Sequence, residues 1–414
     1  MRAPTLRHTS TTFFLASAFV LAFAIGAAAP AQAPVDAAKE TPAASPPPAV
    51  TKSQLKSAID RGCNWLIDQQ RADGGYGSYV SDVGITALVV HGLARSPRHY
   101  EEEDGPFLSA AVDLILSHRH ADGSIYEKGR GLWNYKTSMS ILALAQLDQR
   151  RKEPRYAATI SGARDYVASL QCSDISKPLP YDRDKNRNAF GGIGYGSDRR
   201  PDLSNTQFAL EALRAGGLAE DSDVFQRVQL FLSRCQNHEK NDLLDGKERS
   251  STGDGGFFYQ PGESKAGVIK AADGSEALRS YGSMTYAGVK SYIYAGLGKD
   301  DPRVQGAWNW IKNNFTVDEN PGMATPVDPK RGQMGLFYYY VMMARTFEVL
   351  DVQTFEDASG KKIDWVQELG RKMLSLQHAD GYWKNPVSRW MEADPAVVTS
   401  YAVWALSIAY EQMP

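Results

Sequence analysis

Charged and aromatic side chains gather at the beginnings of the chain's most apolar segments. Arg130 and Lys136, Arg199 and Arg200, Arg279, Lys330 and Arg331, and Arg389 stand just before or at the start of such segments. Cations placed this way hold anions through charge-assisted hydrogen bonds, and a diphosphate or carboxylate head group would suit them. Asp198, Glu276, Asp328 and Glu392 are interleaved with them, which is also the pattern of an ordinary solvated rim. Trp133, Tyr135, Tyr281, Tyr286, the run Phe337-Tyr338-Tyr339-Tyr340, Trp390 and Tyr401 supply aromatic surface to the same segments. Such rings either line a cavity for an apolar ligand or fill the middle of a helical assembly. Tyr338, Tyr339 and Tyr340 are consecutive, so on a helix they point about 100° apart and at most two share one wall. Asp82 and Asp394 are lone acids at segment starts, placed as helix N-caps.

Other chemistries lack their residues. There are 3 cysteines and no Cys-x-x-Cys, which argues against zinc fingers and thioredoxin-type exchange. His120 and His378 precede Ala-Asp-Gly where the first such turn has Arg71, so they read as solvated turn residues and no metal is expected. No Gly-x-Ser-x-Gly supports a serine nucleophile. No cofactor is implied. With 46 basic against 48 acidic residues, bulk charge gives no reason to expect nucleic acid.

Residues 1–33 have the form of an export signal: Arg2 and Arg7, an apolar run from Phe13 to Ile25, and Ala31-Gln32-Ala33 as a cleavage site. The run is short for a membrane span, so the mature chain is expected to be periplasmic or secreted, without a transmembrane segment after signal removal; the alternative is that the segment is retained as an uncleaved anchor. Residues 34–50 carry five prolines and five alanines and read as a disordered linker. Residues 51–414 then run without a seam, longer than one ordinary core, and contain repeats.

Those repeats are the elements that must position the candidate residues. Thr86-Ala-Leu-Val-Val-His-Gly-Leu, Thr137-Ser-Met-Ser-Ile-Leu-Ala-Leu, Thr206-Gln-Phe-Ala-Leu-Glu-Ala-Leu, Thr285-Tyr-Ala-Gly-Val-Lys-Ser-Tyr and Thr399-Ser-Tyr-Ala-Val-Trp-Ala-Leu share a pattern apolar on nearly all sides. Gln333 to Ala344 lacks the Thr but has the same character. A helix apolar all round is buried all round. Each is preceded by an amphipathic helix and usually a glycine turn, as in Gln70-Arg-Ala-Asp-Gly-Gly-Tyr76 and Gln377-His-Ala-Asp-Gly-Tyr382. The spacing predicts twelve helices in six pairs. An open solenoid needs polar end caps, and the first and last units are as apolar as the middle ones. The expected fold is therefore all-α, a closed (α/α)6 toroid of six inner and six outer helices. With every pair in the same sense, the inner helices start at one mouth, and the long loops Cys172 to Pro201 and Asn237 to Arg279 lie there.

Repeated Gln-x-x-Asp-Gly-Gly-aromatic turns before apolar helices resemble the prenyltransferase/squalene oxidase repeat family, which includes squalene cyclases and protein prenyltransferase beta subunits. The resemblance spans Thr51 to Tyr410 and implies a terpenoid cyclase-like toroid with an aromatic-lined cavity for an isoprenoid. Cyclases of this kind carry their proton donor in an Asp-x-Asp-Asp-Thr run. The matching run here is Asp202-Leu-Ser-Asn-Thr206, so Ser204 and Asn205 replace the second and third carboxylates. The Asp-Cys-His zinc set of the prenyltransferases has no match, and neither has the thioester Cys-Gly-Glu-Gln. A disulfide between Cys172 and Cys235 stays open for an exported chain. By this resemblance Trp133, Tyr135, Tyr281, Tyr286, Tyr338 and Trp390 would line the cavity. Converging helix N-termini and the basic residues beside them make Arg200, Arg279 and Arg331 the expected anion site on its rim. Two readings stand: a terpene-cyclase-like enzyme (an isomerase or transferase acting on an isoprenoid) or isoprenoid-binding protein with the Asp-x-Asp-Asp motif degraded, and a non-catalytic exported toroid that binds a lipid, peptide or protein partner.

Overall fold

A computed structural model of the protein describes residues 48–174, 187–197, 200–243, 251–271 and 274–414. The expected leader and most of the linker lie outside the described residues. Residues 49–414 form one unit, and its described residues build twelve α-helices. The outer helices are α1 (Lys52–Asp68), α3 (Pro106–Ser117), α5 (Ala157–Ser169), α7 (Asp223–Arg234), α9 (Pro302–Asn314) and α11 (Trp365–Leu376). The inner helices are α2 (Val83–Arg95), α4 (Trp133–Asp148), α6 (Leu203–Ala215), α8 (Gly282–Tyr294), α10 (Leu336–Leu350) and α12 (Pro395–Gln412). Each inner helix packs on the next, and α12 packs back on α2 and α1. The ring is closed, and the fold is an (α/α)6 toroid.

Local sequence accounts for the helix ends. Asp82, Asp202, Ser222, Asp301, Asp364 and Asp394 each accept a first-turn amide with the side chain, the usual N-cap arrangement. Pro106, Pro302 and Pro395 occupy first positions, where no amide hydrogen is needed. In α2 every residue but Arg95 is buried, whereas α7 and α11 bury one stripe.

The repeat residues turn out to be fasteners. Thr86, Thr137, Thr206, Thr285 and Thr399 lie in the first turns of inner helices. Their hydroxyls accept the amides of Tyr76, Ile125, Ile193, Phe257 and Trp383 at 3.0–3.1 Å. Each such bond pins the end of a glycine turn onto its inner helix. In α10 Tyr339 takes the place of the Thr, and its hydroxyl donates to the Thr316 carbonyl at 2.8 Å. The glutamines stitch neighbours together. Gln70, Gln171, Gln236 and Gln377 each donate to a glycine carbonyl of their own turn and to a carbonyl of the next outer helix. For Gln377 that helix is α1, through Ala58 at 2.9 Å, so the last repeat is tied to the first. The turn glycines Gly123, Gly191 and Gly255 have positive φ, and a Cβ there would meet a carbonyl of the next outer helix at 2.1–2.3 Å.

Two hairpins of three-residue strands interrupt the helices: β1 (Val268–Lys270) with β2 (Glu276–Leu278), and β3 (Thr354–Glu356) with β4 (Lys362–Asp364). They are too short for a period-two pattern to show in the sequence. Cys63, Cys172 and Cys235 are buried thiols, and no disulfide joins Cys172 to Cys235. Among the described residues no helix is long and apolar enough to cross a membrane.

Candidate functional site

All six inner helices begin at one end of the barrel, where they enclose a cavity of about 260 Å³. Tyr135 from α4, Phe208 from α6, Met284 from α8, Tyr338 from α10 and Tyr401 from α12 form its wall, with Tyr281 just ahead of α8. The rings interlock: Tyr135 meets Phe208 edge-on at 5.2 Å, Phe208 meets Tyr338 at 6.0 Å, and Tyr338 meets Tyr401 at 6.2 Å. The hydroxyls satisfy one another. Tyr135 and Tyr401 lie 3.3 Å apart, Tyr195 and Tyr259 3.4 Å, and Ser204 and Gln207 donate to the Tyr338 hydroxyl at 3.3 Å. Burial pushes Tyr135 up to about 12 and raises Tyr338 and Tyr401 further. These side chains are therefore neutral phenols at physiological pH, and the wall is apolar with paired hydroxyls.

The acids at this end are turned away from chemistry. Asp202 caps α6: one oxygen accepts the Asn205 amide and the other the Asn205 side chain, both at 2.8 Å. Burial raises its carboxyl to about 6, against hydrogen bonds from Asn205 and Tyr259. Asp82 borders the cavity, but its oxygens accept the Gly84 and Ile85 amides and Lys136 Nζ at 2.8 Å. Asp394 caps α12 and accepts the Ser78 amide and hydroxyl. Glu392 accepts the Tyr338 amide at 2.8 Å, and burial pushes it up to about 7. The mouth is shaped by strained backbone. Leu132, Trp390 and Met391 border it with φ of 68°, 55° and 67° and remain partly exposed, a conformation that non-glycine residues adopt only where the surroundings hold it.

Of the residues expected at a site, the structure gathers Ser204, Asn205, Tyr135, Tyr281, Tyr338 and Trp390 on the cavity wall. Asp202 lies behind Asn205. The others lie off the wall. Trp133 stacks on Tyr126 at 5.0 Å and donates to the Arg130 carbonyl, because the left-handed Leu132 turns it outward. Tyr286 points between the helix rings onto Tyr339 and Phe347. Arg331 donates to the Lys265 carbonyl at 2.6 Å. Arg279 follows β2, its amide bonded to Gly267. Arg200 is exposed. The cation that does border the cavity is Lys265, held by Glu263 with Nζ 4.3 Å from the Tyr259 ring centre.

Tyr195, Tyr259 and Lys265 were missed because they belong to long loops. A signal existed for the two tyrosines. Each stands two residues after the amide pinned by an inner-helix Thr. The same position holds Ser78, Glu127 and Asn385, which reach Asp394, Lys136 and Glu392. Extended chain alternates sides, so this position points away from the pinned amide's own side chain, and in two of the five repeats it carries a tyrosine that lines the cavity.

No family model matches the chain, and no curated protein matches it. Among solved structures, the apo type II terpene cyclase MstE from Scytonema is similar at 15% identity, over 88% of this chain and 100% of that one, with a TM-score of 0.49. A variant of that cyclase in complex with geranylgeranyl dihydroxybenzoate, its substrate, is similar at 14% identity, over 87% of this chain and 99% of that one, with a TM-score of 0.47. A glycosidase variant in complex with glucose is similar at 13% identity, over 88% and 98%, with a TM-score of 0.47. Likeness at this level assigns no activity, so function has to be argued from the cavity.

Proposed function

We propose that the aromatic cavity binds a short, uncharged isoprenoid chain and holds it without protonating it. One observation carries the reading: the cavity wall at the start of α6 presents Ser204, hydrogen-bonded to Tyr338, where a cyclising enzyme needs a strong acid. A serine hydroxyl cannot protonate an alkene. The neighbouring Asp202 has one oxygen on the Asn205 amide, capping α6, and the other on the Asn205 side chain, and burial makes it a weaker acid than an ordinary aspartic acid. The size supports a short ligand, since about 260 Å³ lies just below the range usual for small-molecule pockets. The aromatic faces and paired hydroxyls suit an unsaturated hydrocarbon. In this reading the chain is exported, and the ligand is met outside the cytoplasm.

A second reading is favoured by one observation: among the described residues every exposed large apolar side chain but Leu376, including Tyr79, Val327, Trp390 and Met391, lies on a connection leading into an inner helix. In it the mouth end docks a partner and the cavity is only packing space. Fluorescence titration of the purified chain with farnesol separates the two. Saturable binding that is lost in Met284→Trp, which puts an indole into the cavity, is the expected result. No binding, or binding unchanged in that variant, contradicts the cavity reading.

A further inference from the structure

The far end of the barrel contains a second, polar cavity of about 450 Å³. Its wall comes from the C-terminal halves of inner helices: Arg95 of α2, Gln146 of α4, Glu211 and Arg214 of α6, Tyr294 of α8 and Arg345 of α10. Burying ionised groups on a barrel axis costs several kcal/mol each, and aliphatic side chains would close the ring as well. A cluster of this kind calls for a reason beyond the fold.

The cluster carries unbalanced charge. Glu211 pairs with Lys290 and Arg345, and Glu348 with Arg95 and Arg345, so all four carboxylate oxygens are occupied. The side chains of Lys290, Arg345, Arg95 and Arg214 are 0%, 13%, 14% and 20% exposed. Among the described residues of this cluster only two acids are comparably shielded, Glu211 and Glu348, at 4% and 22%. The acids that complete the balance reach in from solvent. Glu411, 44% exposed, holds Arg95 at 2.8 Å, and Glu220, 90% exposed, holds Arg214 at 3.0 Å. Helix C-termini add partial negative charge that offsets part of the excess. Burial pushes Glu211 up, but Arg345 and Lys290 outweigh it and pull it down to about 2. Burial pulls Lys290 below the ordinary lysine range against the attraction of Glu211. Burial, then Arg95, pushes His91 down to about 4, so that neighbour adds no charge. Arg95 Nε and Arg345 Nε have no hydrogen-bond partner, so two guanidinium donors at the cavity are unsatisfied.

We propose that this cavity binds a small oxyanion, a carboxylate or a phosphate, which displaces the exposed Glu411 from Arg95 and Glu220 from Arg214 Nη1, while Arg95 stays on Glu348 and the other Arg214 nitrogens on the Tyr294 carbonyl. Surface acids hold their partners weakly, whereas an anion inside the cavity meets the guanidinium groups in a less polar setting. The site is separate from the aromatic cavity and does not depend on what that cavity holds.

Calorimetric titration of the full-length chain with succinate, inorganic phosphate and the neutral succinamide tests it. Saturable binding of succinate or of phosphate, with none of succinamide, is expected, and the tighter anion identifies the ligand's chemistry. Arg214→Gln should weaken it by about tenfold or more. Glu411→Gln alters an exposed residue and removes a competitor for Arg95, so it should tighten binding, which a purely structural role would not do. Absence of saturable anion binding in both wild type and Glu411→Gln overturns the proposal. So does anion binding that neither variant changes.

Discussion

Thr206 shows how much a single hydroxyl does in this molecule. It accepts the Ile193 amide at 3.0 Å inside the barrel wall, where no water can replace it. Thr206→Val keeps the shape and leaves that amide unpaired, which should cost about 1–3 kcal/mol in chemical denaturation, while Thr206→Ser should recover most of it. Glu392 makes a pH-dependent contribution. Its folded pKa, raised from 4.5 to about 7, means that the unfolded chain gives up this proton first. Stability therefore falls as pH rises through that window. Asp202, raised from 3.8 to about 6, adds the same sign lower down. Thermal melts should show the midpoint declining between pH 5 and about 7 in wild type. Glu392→Gln should flatten the upper part of that decline, by an amount on the order of 3 kcal/mol at the upper bound. An unchanged slope would show that Glu392 does not hold the proton. The sequence allowed Ser204 and Asn205 to be placed at the cavity, since their motif marks the start of an inner helix. It did not reveal that Arg331 is committed to a backbone carbonyl, because that contact depends on where a loop about 70 residues away folds back.

Helices and glycine turns were legible for a physical reason. A turn that must have positive φ and touch the next helix admits little but glycine, and a helix buried all round must be apolar all round. Gly191 and Gly129 separate the two demands on glycine. Both have positive φ, but a Cβ at Gly191 would meet the Arg227 carbonyl at 2.1 Å, whereas nothing lies within 4 Å of one at Gly129. Gly129→Ala should cost about 1 kcal/mol from backbone strain alone. Gly191→Ala should cost on the order of 3 kcal/mol, because α7 must also move. Equal losses would mean that the close approach of turn and helix is not part of the packing. The β1–β2 hairpin, which brings Lys265 to the cavity, was not legible, since three residues per strand give no periodic signal and its position follows from long-range contacts.

The closed ring follows from how its ends are made. The first and last repeats carry no polar cap, and α12 covers α1 and α2 while Gln377 reaches Ala58. Closure places all six inner-helix starts around one aromatic cavity and the C-terminal halves of five of them around a charged one, so one fold offers two unlike pockets. The central question is whether the aromatic cavity only holds its ligand or also transforms it. Incubating the purified chain with farnesol and with squalene, then extracting and separating the lipids by gas chromatography and mass spectrometry, decides it. Retained farnesol of unchanged mass and retention time, and squalene returned without cyclised isomers, is the expected result. A cyclised product from either substrate, abolished by Asp202→Asn, would show that an acid at this site does protonate an alkene and would contradict the binding-only reading.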